Sequence, residues 1–504
     1  MKNLQKPKSQ TKKSEKTIMK KPKSIVFHNF ITNALGILFS RLLGLARDII
    51  LALYLGAGLY SDVFFVAMKM PAFFRRIFAE GAFGQSFLPN FTKARQKGAF
   101  CVSVLVRFGS AVFLLCVLVN FFAGFFTKIF AFGFSAETIA LASPLVAINF
   151  WYLFFIFLTT LFGAILNYEH KFFVTAFSAS LFNLCIVLCV FFVDINEPLK
   201  NMYYFSYAIV LSGAAQLILH LIALKNNITA RAMWLSVRMK RTKVRLENFY
   251  ANFFHGVLGS SATQLSSLLD TTIASFLITG SISYLYYANR VFQLPLALFA
   301  IALTQVSFPK ILKHLKSGEE KLALNFMQKA LEALSFMLVF SALIGIVFAP
   351  EITKLLFERG NFGSNDAKIT AFVLMAYLAG LLPYGLQKLL SLWLYAKFKQ
   401  KIAAIIAFKA LGLSASFSVL FILLIENPEN KVLGVALASS LSAFYLLGAN
   451  IKEFGTRAFL GLINVKKMLL GVAFLLVFGF VLLEFKAKII EFFMALYEMI
   501  RAIF

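Results

Sequence analysis

Acidic residues are scarce in this chain. In 504 residues, 22 Asp and Glu face 50 Lys and Arg, and the four types together make up only 14%, too little to clothe a soluble surface when 60% of the sequence is hydrophobic. A folded soluble domain is thereby excluded. Nucleic-acid binding is excluded with it, because the net charge of +28 is spread over short basic runs between apolar segments instead of a folded basic face. Cysteine is equally sparse: Cys101, Cys116, Cys185 and Cys189 lie in or beside apolar segments, with neither a disulfide framework nor a metal-ligand spacing. His170 and His255 have no metal-like companions. No HExxH, P-loop, nucleophile with base or carboxylate-rich magnesium site is present, so neither an enzyme nor a resident metal or cofactor is expected. Any work this chain performs must draw on an energy source other than its own ATP hydrolysis.

What is abundant is long apolar sequence. Spans of bilayer length fall at 29–55, 60–91, 102–126, 139–166, 172–193, 203–224, 248–279, 284–308, 330–350, 369–396, 402–425, 433–450, 468–483 and 489–504. The expected fold is therefore all-α, a polytopic membrane protein of about 14 transmembrane helices. Counting the connections alternately, one side carries 32 Lys and Arg and the other 8. That asymmetry places the first set, and both termini, in the cytoplasm. The Lys-rich stretch 1–28 reads as a disordered cytoplasmic tail that holds orientation and attracts anionic lipid. It is not a cleavable signal, since the apolar run after it is too long and contains Arg41, Arg47 and Asp48.

The chain also resembles itself. FFTKIFAFGF around Thr127 matches ITKLLFERGNF around Thr353, and the stretch with Pro71 matches the stretch with Pro295, each running on to Gln-x-x-x-Pro at Gln85 and Gln305. Two six-helix lobes related by a pseudo-twofold axis along the membrane normal are expected at 29–224 and 248–450. A basic linker at 225–247 joins them, and two further helices occupy 451–504. Rocking transporters with this symmetry place their substrate between the lobes.

Charged residues inside such spans are costly and survive where they face one another or a wet cavity. Arg41, Gly44 and Asp48 share a helix face at i, i+3 and i+7 with Arg47 beside it, while Asp62, Lys69 and Arg76 form a stripe along the second span. Pro71, Gly81, Gly84 and Pro89 predict a kink or break there. Arg290 sits in the corresponding span of the second lobe. Arg41, Arg47, Arg75 and Arg290 are the candidate substrate-binding residues, and Asp48, Asp62 and Glu80 the gating or ion-pair residues. Asp270, among Ser266, Ser267, Thr271 and Thr272, is a candidate cation or proton site, with pairing to an Arg the competing reading. Guanidinium groups favour carboxylate and phosphate, so an anionic or phosphorylated substrate is expected.

SRLLGLARD at 40–48, GAGLYSDVFFVAMKMP at 56–71 and RRIFAEGAFGQSFLP at 75–89 resemble the amino-terminal signature of the MurJ (MviN) lipid II flippases. GAILN at 163–167, YYANR at 286–290 and FERGNF at 357–362 follow in the family's order. The resemblance implies the multidrug/oligosaccharidyl-lipid/polysaccharide exporter fold, with the two C-terminal helices forming a groove for a lipid tail. It implies lipid II, the undecaprenyl-pyrophosphate-linked peptidoglycan precursor, as the substrate moved by alternating access across the bacterial inner membrane, with membrane lipids and other cell-wall synthesis proteins as partners. By motif position Arg47, Asp48 and Arg290 match the family's central cluster, Arg41 another functional arginine, Asp62 the family aspartate, and Arg75 with Glu80 a pair near the periplasmic gate. Asn289 departs from the Asp common at that place. Asp270 matches the seventh-helix acid of sodium-coupled members, but the eleventh span offers only Ser414, Ser416 and Ser418. Coupling is left to membrane potential or a monovalent cation. The readings that compete are a flippase for another polyprenyl-linked glycan and a non-transporting membrane scaffold.

Overall fold

In hydrocarbon a peptide group has no water to bond, so each long apolar segment closes its hydrogen bonds internally and becomes a helix. The structure, a computed structural model, describes residues 23–78, 82–240, 244–488 and 490–491, and among these no strand occurs. The first part of the chain forms α1 (Lys23–Leu55), α2 (Leu59–Phe78), α3 (Ala82–Lys93), α4 (Lys97–Phe121), α5 (Ala123–Phe130), α6 (Ala136–Tyr168), α7 (Phe172–Leu188), α8 (Pro198–Leu224) and α9 (Ile228–Arg238). The second forms α10 (Glu247–Ala274), α11 (Ser281–Pro295), a π-helical stretch at Leu296–Ile301, α12 (Ala302–Lys316), α13 (Glu320–Val347) and α14 (Ala349–Phe357). It closes with α15 (Ser364–Ala379), α16 (Leu381–Ala396), α17 (Gln400–Leu424), α18 (Lys431–Phe454), α19 (Thr456–Leu462) and α20 (Val465–Glu484).

Nine of the described helical stretches are long and apolar enough to cross a bilayer, and α15 with α16, bent by 40° at their junction, makes a tenth. The sequence-read spans at 29–55, 60–91 and 248–279 are also helical over 29–55, 60–78, 82–91 and 248–274, and they carry Arg41, Arg47, Asp48, Asp62, Lys69 and Asp270, whereas Arg290 lies in one of the nine. The span at 489–504 lies outside the described residues apart from 490 and 491. Two boundaries differ from the sequence reading. Helix α1 already begins at Lys23, inside the stretch assigned to the basic tail, whose residues 1–22 lie outside the described ones; and the basic linker holds a helix of its own, α9.

Helices α1 to α8 pack chiefly on one another, led by α6 against α8 and α2 and by α7 against α1. The later helices do likewise, with α18 on α17 and α16, α11 on α15, and α13 on α12 and α16. Helix α10 belongs to neither group alone: it packs on α3 and α2 from the first and on α17 from the second. Its contact with α3 is aromatic, Phe249 lying edge-on to Phe83 with ring centroids 5.8 Å apart.

The self-similarity of the sequence reappears as geometry. Thr127 and Thr353 are both fully buried in short helices, and each hydroxyl donates to the carbonyl of an alanine one turn earlier, Ala123 at 2.8 Å and Ala349 at 3.0 Å. The two proline-bearing spans are both irregular: α2 carries Pro71 and gives way to α3, and Pro295 is followed at once by the π-helical stretch. A proline removes one N–H from the ladder and crowds the carbonyl four residues back, so the helix must bend, break or widen there.

Candidate functional site

Where α1, α7 and α11 meet, the sequence places a basic residue beside an acid on α1, and the fold supplies polar partners from both other helices. The Arg47 guanidinium donates to Asp48 Oδ1 from Nε at 2.9 Å and from one terminal nitrogen at 2.6 Å. Its other terminal nitrogen donates to Asn183 Oδ1 on α7 at 2.8 Å. Asn183 in turn donates from Nδ2 to the Ser40 carbonyl at 2.9 Å, and Phe182 lies under the guanidinium with its ring centroid 5.6 Å away. From α11, the Tyr286 hydroxyl donates to the same Asp48 Oδ1 at 2.9 Å, while Arg290 donates to the Tyr286 hydroxyl at 2.9 Å and stacks over its ring at 4.5 Å. Arg290 Nε approaches Asp48 Oδ2 to 3.5 Å without bonding it.

Two arginines thus share one carboxylate, but unequally. The side chain of Arg47 is 8% exposed and that of Arg290 36%. All three nitrogens of Arg47 donate to protein acceptors, whereas Arg290 Nε has no hydrogen-bond partner among the described residues and its side chain is the more exposed. Arg290 is thus the more accessible of the two guanidinium groups. Buried charges of this kind persist only with partners, and removing one partner strands the other.

Asp62 does something different from the ion pairing considered in the sequence. Its Oδ2 accepts from the Gly280 backbone N–H at 2.7 Å, and its Oδ1 from the Ser283 N–H at 2.8 Å and the Ser283 hydroxyl at 2.6 Å. It caps the first turn of α11 from α2 and pairs with no cation within 4 Å among the described residues. Ser61 joins through a 2.8 Å contact with the Ser283 hydroxyl. Lys69, one stripe position along, donates to Thr271 on α10 at 2.8 Å. Asp270, next to Thr271, is half-buried and makes no hydrogen bond or ion pair among the described residues, leaving its carboxylate to the Lys69 charge that acts on it.

The same end of the bundle is closed by backbone contacts. Asn361 donates from its N–H to the Leu53 carbonyl at 2.9 Å and from Nδ2 to the carbonyls of Tyr54 at 2.9 Å and Ile195 at 2.7 Å. Gly56 permits this approach: its φ is +66°, and a Cβ there would sit 2.2 Å from the Asn361 carbonyl oxygen. Gly133 likewise lies against Ser275, whose hydroxyl accepts its N–H at 2.9 Å.

Of the residues singled out in the sequence, Arg47, Asp48 and Arg290 come together in one cluster, Asp62 joins α2 to α11, and Asp270 lies on α10 beside the Thr271 that Lys69 contacts. Arg41 stands apart, exposed on α1. Arg75 reaches Tyr152 on α6 at 3.4 Å. Glu80 lies outside the described residues. Sequence reading missed Asn183, Tyr286, Ser283 and Asn361. Tyr286 was signalled by its place one turn before Arg290, and Asn183 by being an amide inside an apolar span, where a polar group needs a partner.

The model of the family described as Lipid II flippase MurJ matches residues 51–501. The chain belongs to the MurJ family. A probable lipid II flippase MurJ of Helicobacter pylori strain J99 is 48% identical over 439 residues, covering 84% of this chain and 93% of the relative. One of Haemophilus influenzae is 35% identical, covering 81% and 82%. Among solved structures, a lipid II flippase MurJ in an inward closed conformation superposes with a TM-score of 0.72 at 26% identity, over 91% of this chain and all of that one. An inward-facing multidrug-resistance MATE transporter of the MOP superfamily shares the fold alone, with a TM-score of 0.65 at 16% identity over 82% and 94%.

Proposed function

We propose that this chain is a lipid II flippase that carries the pyrophosphate-linked head group through the chamber between its two groups of helices by alternating access. The observation that carries the reading is the unequal pair of arginines on Asp48. Arg290, half exposed, receives the anionic diphosphate; Arg47, held by Asp48 and Asn183, completes its coordination once Asp48 has been displaced from Arg290. The pair carries one positive charge beyond Asp48, which lowers the cost of bringing a charged head group into the membrane interior.

The bonds from Asp62 to α11 and from Asn361 to α1 close one end of the chamber. With both termini cytoplasmic, as the basic loops indicate, that end is the periplasmic one, and its contacts are the ones a transport cycle has to break. Helix α20 lies against α13 with Phe478 4.9 Å from Phe340 and exposes Leu469, Leu470 and Phe480, an apolar flank suited to the prenyl tail. The test is lipid II exposure on the outer leaflet of cells depleted of their own flippase. The chain restores exposure, and Arg47→Ala and Arg290→Ala abolish it at equal membrane abundance; failure of the unmutated, well-inserted chain overturns the reading.

A further inference from the structure

Helix α9 contributes no residue to the Arg47–Asp48–Arg290 cluster, and its two faces differ. Its inner face is firmly docked. The Asn227 side chain caps it, accepting from the Thr229 N–H at 2.6 Å and the Ala230 N–H at 3.3 Å, and donates to Glu169 at 2.5 Å in the turn after α6. Its backbone at Ala232 lies against Gly98, where a Cβ would fall 2.4 Å from the Ala232 carbonyl group. Because Gly98 is the second residue of the membrane-crossing helix α4, α9 is held at the level where α4 enters the bilayer.

Its outer face is left uncovered. Ile228, Trp234, Leu235, Val237 and Met239 are exposed, Ile228 by 82%, and Arg231 and Arg238 project between them, two turns apart at i and i+7. Seven Lys and Arg lie between Lys225 and Arg245 with no acid among them. Arg238 also stacks on Trp234 at 5.3 Å. Apolar side chains at bilayer depth, arginines among them and an aromatic of the interfacial type are the composition of a helix lying in the headgroup layer.

We infer that α9 is a docking surface for anionic phospholipid of the leaflet it faces: Arg231 and Arg238 bind the phosphate-bearing headgroups, and Ile228, Trp234 and Leu235 immerse beneath them. The inference requires a membrane-embedded chain but not that the chain flips lipid II.

The experiment uses the full-length chain in nanodiscs. The sequence has three tryptophans, so Trp151→Phe with Trp393→Phe leaves Trp234 as sole reporter. Nanodiscs contain phosphatidylcholine and phosphatidylglycerol in equal amounts, with bromine on the acyl chains of one or the other. Trp234 is quenched, and the brominated phosphatidylglycerol quenches as though enriched roughly tenfold around it. Arg231→Gln with Arg238→Gln removes that preference but keeps the quenching. Equal quenching by both lipids in the unmutated arginine background overturns the headgroup site; no quenching, with Trp234 open to aqueous iodide, overturns membrane contact altogether. Should the tryptophan substitutions disturb folding, a spin label at Leu235→Cys, read as the difference from the unsubstituted chain labelled in the same way so that the native cysteines cancel, reports the same immersion through oxygen against nickel-complex accessibility. Nickel accessibility equal to that of a water-exposed loop overturns the proposal.

Discussion

At the scale of the residue, the division of labour between the two arginines follows from what each touches. Arg47 spends its donors on Asp48 and Asn183, so Asn183→Ala frees one terminal nitrogen and loosens a side chain that is otherwise fixed. A hydrogen bond to a charged group contributes about 1.5–3 kcal/mol, and the expected outcome is transport reduced about tenfold or more with the protein still folded. Asn183→Asp behaves differently: it adds a second carboxylate facing Arg47 and turns the cluster from net cationic to neutral. The head group then loses its attraction, and transport by Asn183→Asp falls below that of Asn183→Ala. Equal outer-leaflet lipid II exposure in the two variants at matched abundance would argue against a site defined by its charge.

At the scale of the element, α2 and α11 are joined through Asp62, and α1 is joined to the 358–363 connection through Asn361. Asp62 accepts three hydrogen bonds from the first turn of α11, where its charge also faces the positive end of the helix. Asp62→Asn replaces one acceptor oxygen by an NH2 group facing a donor and removes the charge, at a cost of about 2 kcal/mol or more. Asn361→Ala removes two side-chain bonds to carbonyls, a smaller loss of roughly 1–2 kcal/mol. Both variants therefore shift the protein toward opening at this end, Asp62→Asn further. Spin labels at Leu199 and Glu429, exposed on the first and second helix groups, report it as a longer component in the distance distribution, more populated for Asp62→Asn than for Asn361→Ala. Identical distributions in wild type and both variants would show that the latch lies elsewhere. Gly56→Ala acts on the same contact from the other side, since its Cβ cannot coexist with the Asn361 carbonyl, and it opens this end even with Asn361 intact.

At the scale of the whole molecule, what was legible in the sequence was whatever composition and period record. Apolar length revealed the helices, proline the irregular second and eighth spans, and charge inside hydrocarbon the residues that meet in the Arg47–Asp48–Arg290 cluster. The motif at 40–48 revealed the family even though the family match begins at residue 51. What was not legible needs two distant segments at once. Nothing in a strip of sequence says that Asn183 will meet Arg47, 136 residues earlier, or that Asp62 will cap a helix beginning at Ser281 instead of pairing with Lys69. The straddling position of α10 was hidden for the same reason, since its sequence reads only as the first span of the second lobe.

Alternating access requires the contacts between α2 and α11 to break in every cycle, and Ser61 and Ser283 offer a way to hold them. Their hydroxyl oxygens are 2.8 Å apart, which brings the two Cβ atoms near the separation a disulfide spans. The four native cysteines are unpaired, and three of them are buried, so a Ser61→Cys, Ser283→Cys chain oxidised in the membrane forms chiefly the engineered bridge. The bridged protein binds its substrate yet moves none, and reduction restores movement; each single cysteine variant transports in both redox conditions. Undiminished outer-leaflet lipid II exposure in the fully bridged protein would mean that translocation proceeds without separating α2 from α11, and the rocking mechanism would have to be abandoned for one in which the head group passes along a fixed interface.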